Sequence, residues 1–520
     1  MKKRVKRLLG WGLFTLVVMV GSGILLADHL MPPATGAPSQ ALAVVEGQTA
    51  LDRELAPLLA RHPGRTGAIL IPDGLDAFAA RALSARQAGR SLDLQYYIWH
   101  DDLTGHLLMY EAWKAAERGV RVRMLLDDIN TSGKDAALLA LDAHPNIEIR
   151  VYNPFRNRDG IARLLEMLQR MFSITHRMHN KAWIADNRVA VVGGRNVGME
   201  YFDAAEDTNF RDLDLLLFGP AVAQASGIFD TFWNSEAVVP IAALSRKSAR
   251  RLDAILAQIQ REARSDPARV YLDKVDASPS VRAYLSQELT PIWSDGLRVL
   301  SDPPLKWKAN VRRDGLVAEL AAKVAQARDK ALLISPYFVP GDEGVALFNG
   351  LVAERGAHVG IITNSLAAND VVAVHGGYAK YRKALLRGGV KLYETRPQRA
   401  QAESSLFGSS GASLHTKAFV VDDRLGFIGS FNLDPRSIDL NTEMGVLFDD
   451  PALGAALRDE YLRLAGPEKS YWVSLNPDGD LRWLDRASDP PRVFDTEPES
   501  TRWQRAQAWI VRWLPIESQL

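Results

Sequence analysis

The sequence predicts an α/β protein in which one domain occurs twice in tandem, behind a single transmembrane helix. The first observation is internal repetition, because Glu117–Leu126 resembles Glu354–Thr363 and His179–Asp186 resembles His415–Asp422. The two pairs have offsets of 237 and 236 residues, and this agreement indicates a duplicated domain rather than a short-period solenoid. The second observation is that short apolar runs alternate with helical stretches, which is typical of α/β units around a buried sheet. The third is an uncharged run near the N-terminus.

The N-terminal segment has the composition of a membrane anchor. A cluster of Lys and Arg precedes the uncharged run Leu8–Ala27, whose 20 residues are enough to cross a bilayer as a helix. No Lys or Arg follows before Arg53, so the positive-inside rule places the N-terminus in the cytoplasm and the body in the periplasm, at the inner membrane of a bacterium. The alternative is a cleaved signal peptide, for which Gly21–Gly23 offers small residues. A lipoprotein anchor is excluded, because the chain has no Cys.

The rest of the chain divides by composition and by the repeat. The segment after the anchor is rich in Pro, Ala and Gly, and we expect a tether outside the core. In the first copy, apolar runs at Leu92–Trp99, Val122–Leu126 and Val189–Val192 are predicted strands, and Gly105–Arg118 is a predicted helix. The expected parts are the anchor 1–27, the linker 28–65, the first α/β domain 66–235, a helical connector 236–290, the second α/β domain 291–465 and a Trp-rich tail 466–520.

The tail has a pattern with two interpretations. On a helix, Trp503, Ala506, Ile510 and Trp513 share one face, and several Arg side chains are available to flank it. Such a helix suits a membrane surface. Packing of the same face on the body of the protein is the alternative.

Composition narrows the classes of function. Among 520 residues, 63 are basic and 62 acidic, and this net charge of +1 weighs against a dedicated nucleic-acid binder. The absence of Cys excludes a disulfide framework, a thiolate zinc site and a cysteine nucleophile. The chain has only ten His, so a repeated His pattern is informative.

The motif His-x-Lys-x4-Asp occurs once in each copy, at His179 and at His415. One chance match is expected roughly 0.02 times in a chain of this composition. Each motif is followed by a small-residue turn and an amide, Asn196 or Asn432, 17 residues after the histidine. Alternation along a strand puts each histidine on the same face as its lysine, Lys181 or Lys417. Two histidines, two lysines and two amides around one cavity suit a phosphodiester, whose oxygens they bind while the imidazoles handle attack and proton transfer.

These residues have other interpretations. A lone histidine on a strand is more often structural, but the duplicated lysine and amide favour catalysis. A lysine beside each histidine opposes a cation, so no metal is expected. No Gly-rich nucleotide loop is present, and no cofactor is expected. Asp186 and Asp422 complete the motifs as candidate catalytic residues, although alternation puts them on the opposite strand face, where an acid can be purely structural.

A histidine that works as a nucleophile or base needs an acceptor on its other ring nitrogen. In the second copy the candidate is Glu443, 28 residues after His415. In the first copy it is Asp212, with Asp214 as the rival. We prefer Asp212, because it and Glu443 both lie seven residues before the end of an apolar strand. The alternative for each is an exposed acid at a strand edge.

These residues resemble the phospholipase D superfamily, in the form with two His-Lys-Asp motifs in one chain. The resemblance covers roughly residues 66–465 and is closer to the bacterial cardiolipin synthases, most of all to their C type. The stretches that carry it are Ser91–Asp102, His179–Asn196, Phe210–Pro220, Ile362–Asp370 and Ser413–Glu443.

The resemblance implies two α/β sandwich domains with the active site at their interface, metal-free chemistry and a phosphohistidine intermediate. It implies His179 as the nucleophile and His415 as the acid and base. For a cardiolipin synthase the acceptor is phosphatidylglycerol, and the donor is phosphatidylethanolamine or a second phosphatidylglycerol; both are membrane phospholipids. One histidine must start neutral and the other protonated, so a bell-shaped pH–rate profile is expected.

Three rival functions remain open from the sequence. A hydrolase would use the same site with water as acceptor and release phosphatidic acid. A nuclease is disfavoured by the near-zero net charge, and no nucleic-acid partner is expected. A non-catalytic lipid-binding protein is disfavoured by two intact motifs. Nothing in the sequence identifies an accessory protein.

Overall fold

The structure is a computed structural model that describes most of the chain. The described residues are 36–131, 134–155, 158, 166, 175–206, 208–244, 249–285, 290–308, 315–397 and 414–513.

The first half of the chain forms a mixed sheet of nine strands in the order β8-β4-β3-β2-β5-β6-β7-β1-β9. Strands β2, β3 and β4 are parallel, and the others pair antiparallel. The strands are β1 (Thr66–Ile71), β2 (Ser91–Tyr96), β3 (Arg121–Asp127), β4 (Ile147–Tyr152), β5 (Ala182–Ala185), β6 (Val189–Gly193), β7 (Asp214–Phe218), β8 (Val238–Pro240) and β9 (Ile292–Ser294).

The second half forms a sheet of ten strands in the order β10-β16-β15-β14-β11-β12-β13-β17-β18-β19. Read from the other edge, the eight strands from β17 to β10 repeat the order of the first sheet from β8 to β1, with β11, β12 and β13 as the parallel strands. This agreement confirms two tandem domains of one kind. The strands are β10 (Leu297–Ser301), β11 (Lys330–Ile334), β12 (His358–Asn364), β13 (Lys391–Thr395), β14 (Ala418–Val421), β15 (Leu425–Gly429), β16 (Met444–Asp449), β17 (Ser470–Leu475), β18 (Leu481–Asp485) and β19 (Arg492–Phe494).

Helices cover both faces of each sheet. In the first domain and the connector they are α1 (Ala50–Arg61), α2 (Gly74–Gln87), α3 (Leu103–Glu117), α4 (Asp135–Asp142), α5 (Pro220–Trp233), α6 (Ile241–Leu244), α7 (Ala249–Glu262), α8 (Asp266–Ala277) and α9 (Pro279–Leu285). In the second domain and the tail they are α10 (Leu316–Val324), α11 (Gly341–Arg355), α12 (Val372–Ala379), α13 (Arg382–Arg387), α14 (Pro435–Asp439), α15 (Pro451–Leu464) and α16 (Arg502–Val511).

The core has three layers. One apolar cluster fills the space between the outer face of the first sheet and its helices, and another does the same for the second sheet. The central cluster joins the inner faces of both sheets through α5 and α15. Burial of both faces explains why the strands are almost continuously apolar. The two sheets therefore face one another, and the ends of their central strands meet at one place.

The predicted tether is where the structure differs most from expectation. From residue 36 onward the described part of 28–65 packs on the first domain instead of standing apart. Helix α1 starts with a capping box between Thr49 and Asp52 and buries Leu51 and Leu55. Buried Asp52 also accepts hydrogen bonds from Arg90 and Arg188. A Thr-x-x-Asp start signal and an apolar stripe therefore outweigh the Pro- and Ala-rich composition.

The connector and tail also contribute strands. The described residues of 236–290 form the helices α6 to α9, and the start of this segment supplies β8 to the edge of the first sheet. Strand β9, which follows the connector, pairs with β1 before the chain crosses to the second sheet. The tail adds β17, β18 and β19 to the second sheet and ends in α16. These strands are short and have no clear alternation of apolar and polar residues, so the sequence alone does not predict them.

The four elements predicted in the first copy are present as β2, β3, β6 and α3, with ends shifted by at most three residues. The anchor predicted at 1–27 lies outside the described residues. Within the part of the chain that is described, no helix combines the length and the apolar character needed to cross a membrane.

Candidate active site

The histidine of the first motif is held by an acid of the second domain. His179 lies just before β5, and its Nδ1 is 2.9 Å from Glu443 Oε2 and 3.1 Å from the carbonyl oxygen of Ser430. Both neighbours are hydrogen-bond acceptors, so Nδ1 carries the proton and Nε2 of the neutral ring has a free lone pair. The Ser430 hydroxyl donates to the same Glu443 oxygen.

The histidine of the second motif is held by an acid of the first domain. His415 Nδ1 lies 2.5 Å from Asp212 Oδ2. Of the two acids weighed in the first copy, Asp212 is therefore the one that contacts a histidine. Asp214 instead forms buried ion pairs with Arg81 at 2.9 Å and with Arg195 at 3.5 Å. As for the first histidine, an acceptor on Nδ1 leaves Nε2 of a neutral ring available.

The two acids are thus exchanged between the domains, which spacing along the sequence does not reveal. Main-chain bonds fix this exchange, because His179 N–H donates to Thr442 O at 2.9 Å and His415 N–H donates to Arg211 O at 2.7 Å. Each bond is part of an isolated parallel bridge between the residue before a histidine and the loop that carries the opposite acid. Neither domain holds a complete half-site.

Each lysine of the motifs lies against its own histidine. Lys181 Nζ donates to the carbonyl oxygen of His179 at 2.6 Å, and Lys417 Nζ donates to that of His415. Lys417 Nζ is also 2.9 Å from His415 Nδ1. Regular strand begins only after each lysine, so the contact between lysine and histidine does not come from the strand alternation from which a shared face is predicted. An ammonium group has three donors, so each lysine keeps donors for a substrate anion.

Burial and this concentration of cations shift the ionisation of the histidines. Burial, with Lys181 and Lys417 adding to it, holds the pKa of His179 well below its usual value. Burial and the neighbouring Lys417 lower the pKa of His415 to about 3. Both imidazoles are therefore neutral at pH 7 in the free protein.

The lysines and acids are shifted as well. Burial lowers the pKa of Lys417 to about 8, against the opposing effect of Asp212, and lowers that of Lys181 well below its usual value. Burial raises the pKa of Glu443 to about 7. Burial also acts to raise the pKa of Asp212, but Lys417 and His415 outweigh it, and the pKa lies below its ordinary value. The site is thus poised for proton transfer near neutral pH.

Two buried side chains, missed in the sequence, position the residue before each histidine. Asp127, at the end of β3, accepts a hydrogen bond from Met178 N–H at 2.9 Å. Asn364, at the equivalent end of β12, bonds both the N–H and the carbonyl oxygen of Leu414. These two residues are 237 positions apart, so extending the first repeated stretch by one residue would have found them.

The two predicted phosphate-binding amides have different surroundings. Asn196 accepts from Ile98 N–H at 3.2 Å and donates to the Tyr201 hydroxyl at 3.0 Å. Asn432 is buried, and its side-chain oxygen has no partner among the described residues. The Asn432 side-chain oxygen is therefore an acceptor without a donor, whereas Asn196 uses both its oxygen and its NH2 group.

Aromatic rings, which the motif does not indicate, line both histidines. Tyr97 packs edge-on against His179 at 5.0 Å between ring centroids. Tyr201 packs edge-on against His415 at 5.2 Å, and Phe210 stacks on its other side at 5.4 Å. These contacts restrict ring rotation and exclude water, so the hydrogen bonds to Asp212 and Glu443 gain strength.

The acids that end the motifs lie away from the histidines. Asp186 and Asp422 begin the three-residue turns at the far ends of the β5–β6 and β14–β15 hairpins, each with positive φ, 54° and 50°. Asp186 accepts hydrogen bonds from the N–H groups of residues 89–91, and Asp422 from those of residues 328–330. Asp tolerates this backbone conformation, and its carboxylate satisfies main-chain donors that would otherwise be unpaired. The structure gives these two residues a structural place.

The glycine of the first turn makes room for an acid rather than for a ligand. A Cβ on Gly194 would lie 2.2 Å from Asp212 Oδ1. The equivalent residue of the second copy is Ser430, whose hydroxyl bonds the longer acid Glu443.

One cluster of described residues has ligand atoms close enough to share a cation, namely His100, Asp102 and Glu200, within 4.8 Å of one another. The hydrogen bond to Glu200 raises the pKa of His100, so the imidazole acts as its ion-pair partner. Asp102 Oδ2 accepts from Met199 N–H, and its other oxygen caps α3 at Gly105 N–H. These contacts account for the cluster as a hydrogen-bond network.

Comparisons with known proteins agree with this geometry. The family profile described as "Cardiolipin synthase, PLD-like domain" matches residues 84–233 and 320–465, together more than half of the chain. Cardiolipin synthase C of Escherichia coli (strain K12) is 40% identical over 470 residues, which are 89% of this chain and 98% of that protein. An uncharacterized protein of Helicobacter pylori (strain ATCC 700392 / 26695) is 35% identical over 404 residues, 77% of this chain and 79% of its own length.

A solved structure shares the two-domain fold. Phosphatidylserine synthase of Haemophilus influenzae Rd KW20 superimposes with a TM-score of 0.57 at 13% identity, covering 90% of this chain and 98% of that one. The likeness at this identity concerns the fold. With a family match in both copies and a full-length relative at 40% identity, the chain belongs to the cardiolipin synthase family of phospholipase D-like enzymes.

Proposed function

We propose that this phospholipid phosphatidyltransferase makes cardiolipin by moving a phosphatidyl group onto phosphatidylglycerol through a phosphohistidine at His179. The donor is phosphatidylethanolamine or a second phosphatidylglycerol. The observation that carries the proposal is the pair of buried histidines whose Nδ1 atoms are both bonded to acids across the domain interface. Each Nε2 is then free for the phosphorus or for a proton, and two lysines lie beside them.

In the first step, His179 Nε2 forms a bond to phosphorus and the bond from phosphorus to the head-group oxygen breaks. His415 gives its Nε2 proton to that oxygen, and the head-group alcohol leaves. In the second step, the glycerol hydroxyl of phosphatidylglycerol returns a proton to His415 while its oxygen bonds to phosphorus and the P–N bond breaks. One phosphodiester replaces another, so no nucleotide is consumed.

The first step needs a protonated His415, whereas burial and Lys417 keep this ring neutral in the free protein. The donor brings a negative phosphodiester into the same cavity, and an adjacent negative charge raises a histidine pKa. Lys181 and Lys417 offer donors to the non-bridging oxygens, and the side-chain NH2 of Asn432 is proposed as a further donor. The substrate thus supplies the charge that stabilises the imidazolium.

The choice of His179 as the nucleophile rests on the family resemblance. One observation supports this choice. The pKa of Asp212 is lowered, so this acid stays ionised beside His415 and stabilises the protonated ring that the acid of the reaction must have. Membrane phospholipids are the proposed partners, and residues 1–27 are the proposed inner-membrane anchor, with the catalytic body in the periplasm.

The test uses the full chain in mixed vesicles of phosphatidylglycerol and head-group-labelled phosphatidylethanolamine, with products followed by mass spectrometry. Cardiolipin with released ethanolamine is expected if phosphatidylethanolamine is the donor, and cardiolipin with free glycerol if the donor is phosphatidylglycerol. Phosphatidic acid without cardiolipin would overturn transfer in favour of hydrolysis. The His415→Ala variant should be inactive, and His358→Ala, which removes an exposed histidine, is the matched control.

A second measurement addresses the intermediate. Rapid quenching at alkaline pH, where P–N bonds persist, followed by peptide mass spectrometry, should find the phosphatidyl group on the peptide that contains His179. Its appearance on the peptide that contains His415 would reverse the two roles.

A further inference from the structure

The C-terminal helix α16 has two apolar faces, and only one of them is covered. Its inner face buries Ala508 and Val511 against α12, and a Cβ on Gly376 of α12 would come within 2.9 Å of Ala508 O. The close approach shows that this face is fully used. A capping box between Thr501 and Gln504 fixes the start of the helix. The helix is therefore docked on the body, one of the two outcomes left open by the sequence.

The outer face carries the most exposed large apolar side chains of the described residues. Trp503, Trp509, Ile510 and Trp513, which we call the tryptophan face, are 68%, 62%, 50% and 71% exposed. The rings of Trp509 and Trp513 lie 6.3 Å apart. Scattered single apolar residues on a surface are ordinary, but a contiguous set of this kind marks an interaction surface. Tryptophan in particular favours the boundary between lipid head groups and acyl chains.

Charge around the tryptophan face selects an anionic occupant. Arg502 and Arg512 are exposed at its two ends, and neither guanidinium has an acidic partner among the described residues. No Asp or Glu occurs between residues 502 and 513. Exposed tryptophans flanked by unpaired arginines are the pattern of a helix that lies in the surface of an anionic bilayer.

The docking partner of α16 connects this face to the catalytic site. Helix α12 follows Asp370, whose carboxylate accepts a hydrogen bond from the Tyr337 hydroxyl at 2.8 Å. Burial raises the pKa of Asp370 to about 6, and the opposing influence of Lys417 shows that this carboxylate lies near the site. Tyr337 also packs against the cluster that contains Val511. The element under α16 therefore leads directly to the surroundings of His415.

We propose that the tryptophan face inserts into the head-group region of an anionic phospholipid bilayer and holds the second domain against it. The inference is separate from any N-terminal anchor, which would tether the protein without orienting it. This insertion would keep the second domain, which carries His415, at the surface where the membrane lipids are.

The absence of Cys allows a direct test in the full chain, because one introduced Cys is the sole site for a thiol-reactive, environment-sensitive fluorophore. The probe position is Ile510→Cys on the tryptophan face. The matched control is Val270→Cys, at a position that is 51% exposed on α8 of the connector. Both variants keep residues 1–27, so any contribution of the anchor is common to them.

With vesicles of phosphatidylglycerol and phosphatidylethanolamine, we expect a blue shift of the probe at 510 and quenching by lipid nitroxides about 5–10 Å below the head groups. The probe at 270 should show neither effect. An unchanged probe at 510 would overturn the proposal. So would a blue shift that appears without vesicles and grows with protein concentration, which would make the face a contact between two copies. If another segment of the same chain covered the tryptophan face, the probe at 510 would be blue-shifted without lipid at every protein concentration. That result would also overturn the proposal.

Kinetics provide a second readout. The triple variant Trp503→Gln, Trp509→Gln and Trp513→Gln should lose activity on vesicles and keep it on short-chain lipids dispersed as monomers. An equal loss on both substrates would contradict an interfacial role. The fluorescence measurement needs no turnover, so a failure of this proposal is distinguishable from a failure of the proposed reaction.

Discussion

The acids on the two histidines show how single residues set the chemistry of the site. Asp212 stays ionised beside Lys417, whereas burial brings the pKa of Glu443 to about 7. The shorter acid faces Gly194, which leaves space for it, and the longer acid faces Ser430, which donates to it. Two half-sites with one motif thus differ in charge at neutral pH.

Replacement of Asp212 by Asn should keep the contact with His415 and remove the charge that stabilises its protonated form. We expect kcat to fall by about a hundredfold or more, because proton transfer by a positioned group contributes on this scale. Initial rates on mixed vesicles measure the effect. Full activity of Asp212→Asn would remove this acid from the mechanism.

Asp186→Asn is the contrasting variant, because Asp186 accepts main-chain hydrogen bonds at the far end of the hairpin. Only the oxygen of an Asn side chain accepts hydrogen bonds, so at least one of the three main-chain donors would lose its partner. We therefore expect a loss of about 1–3 kcal/mol in the free energy of unfolding. The melting temperature should fall while kcat of the folded fraction is unchanged. A selective loss of kcat at an unchanged melting temperature would instead make Asp186 catalytic.

The pH dependence should have its alkaline limb near pH 8. Lys417 must be protonated to bind a phosphodiester anion, and its pKa is lowered to about 8, so kcat/KM should decrease above that pH. The acid limb should lie well below neutrality, because the nucleophile His179 must be neutral and burial holds its pKa well below its usual value. In Lys417→Arg the alkaline limb should move upward, since guanidinium does not lose its proton in this range. A limb that stays in place would assign it to another group.

At the scale of elements, the ends of β3 and β12 set where the histidines stand. Asp127 and Asn364 occupy equivalent positions and hold the residue before each histidine. The second copy shows that an amide serves this position.

Asp127→Asn should therefore retain activity, whereas Asp127→Ala leaves Met178 N–H without its acceptor and shifts His179. A buried donor without a partner costs about 1–3 kcal/mol, so the Ala variant should also melt at a lower temperature. Vesicle assays of the two variants, run side by side, show whether the hydrogen bond or the charge of Asp127 is required. Equal loss in the two would mean that the charge of Asp127, not its hydrogen bond, is required.

The helices and strands also show how much of the fold and of the site could be predicted from the sequence. The repeat predicted both motifs, both amides and the candidate acids, because it compares the chain with itself. It could not predict that Asp212 holds His415, since the exchange depends on how two sheets face one another. The Pro and Ala content of residues 28–65 predicts a tether, and this prediction is wrong for the described part. The helix-capping residues Thr49 and Asp52 are the signal that composition does not show. Short strands such as β9 depend on a neighbour, β1, rather than on their own pattern.

At the scale of the whole molecule, the central core joins two domains that cannot be separated without loss of the site. The apolar cluster between the sheets draws on both halves of the chain. Strand β9 from the second half completes the edge of the first sheet. The interface is therefore part of the fold and not a contact between independent units.

If residues 1–285 and 286–520 are produced as two chains, we expect them to associate when they are made together and to recover activity. Each half alone should be inactive, because its histidine lacks the acid of the other half. Co-purification and vesicle assays test this. Activity of one isolated half would show that the exchanged acids are dispensable.

The exchanged acids also bear on descent. A duplicated gene normally leaves one copy free to drift, since the other keeps the original task. Here a substitution of Asp212 in the first copy damages the histidine of the second, and a substitution of Glu443 damages the histidine of the first. Neither copy can decay alone, so selection acts on the pair as one inherited unit.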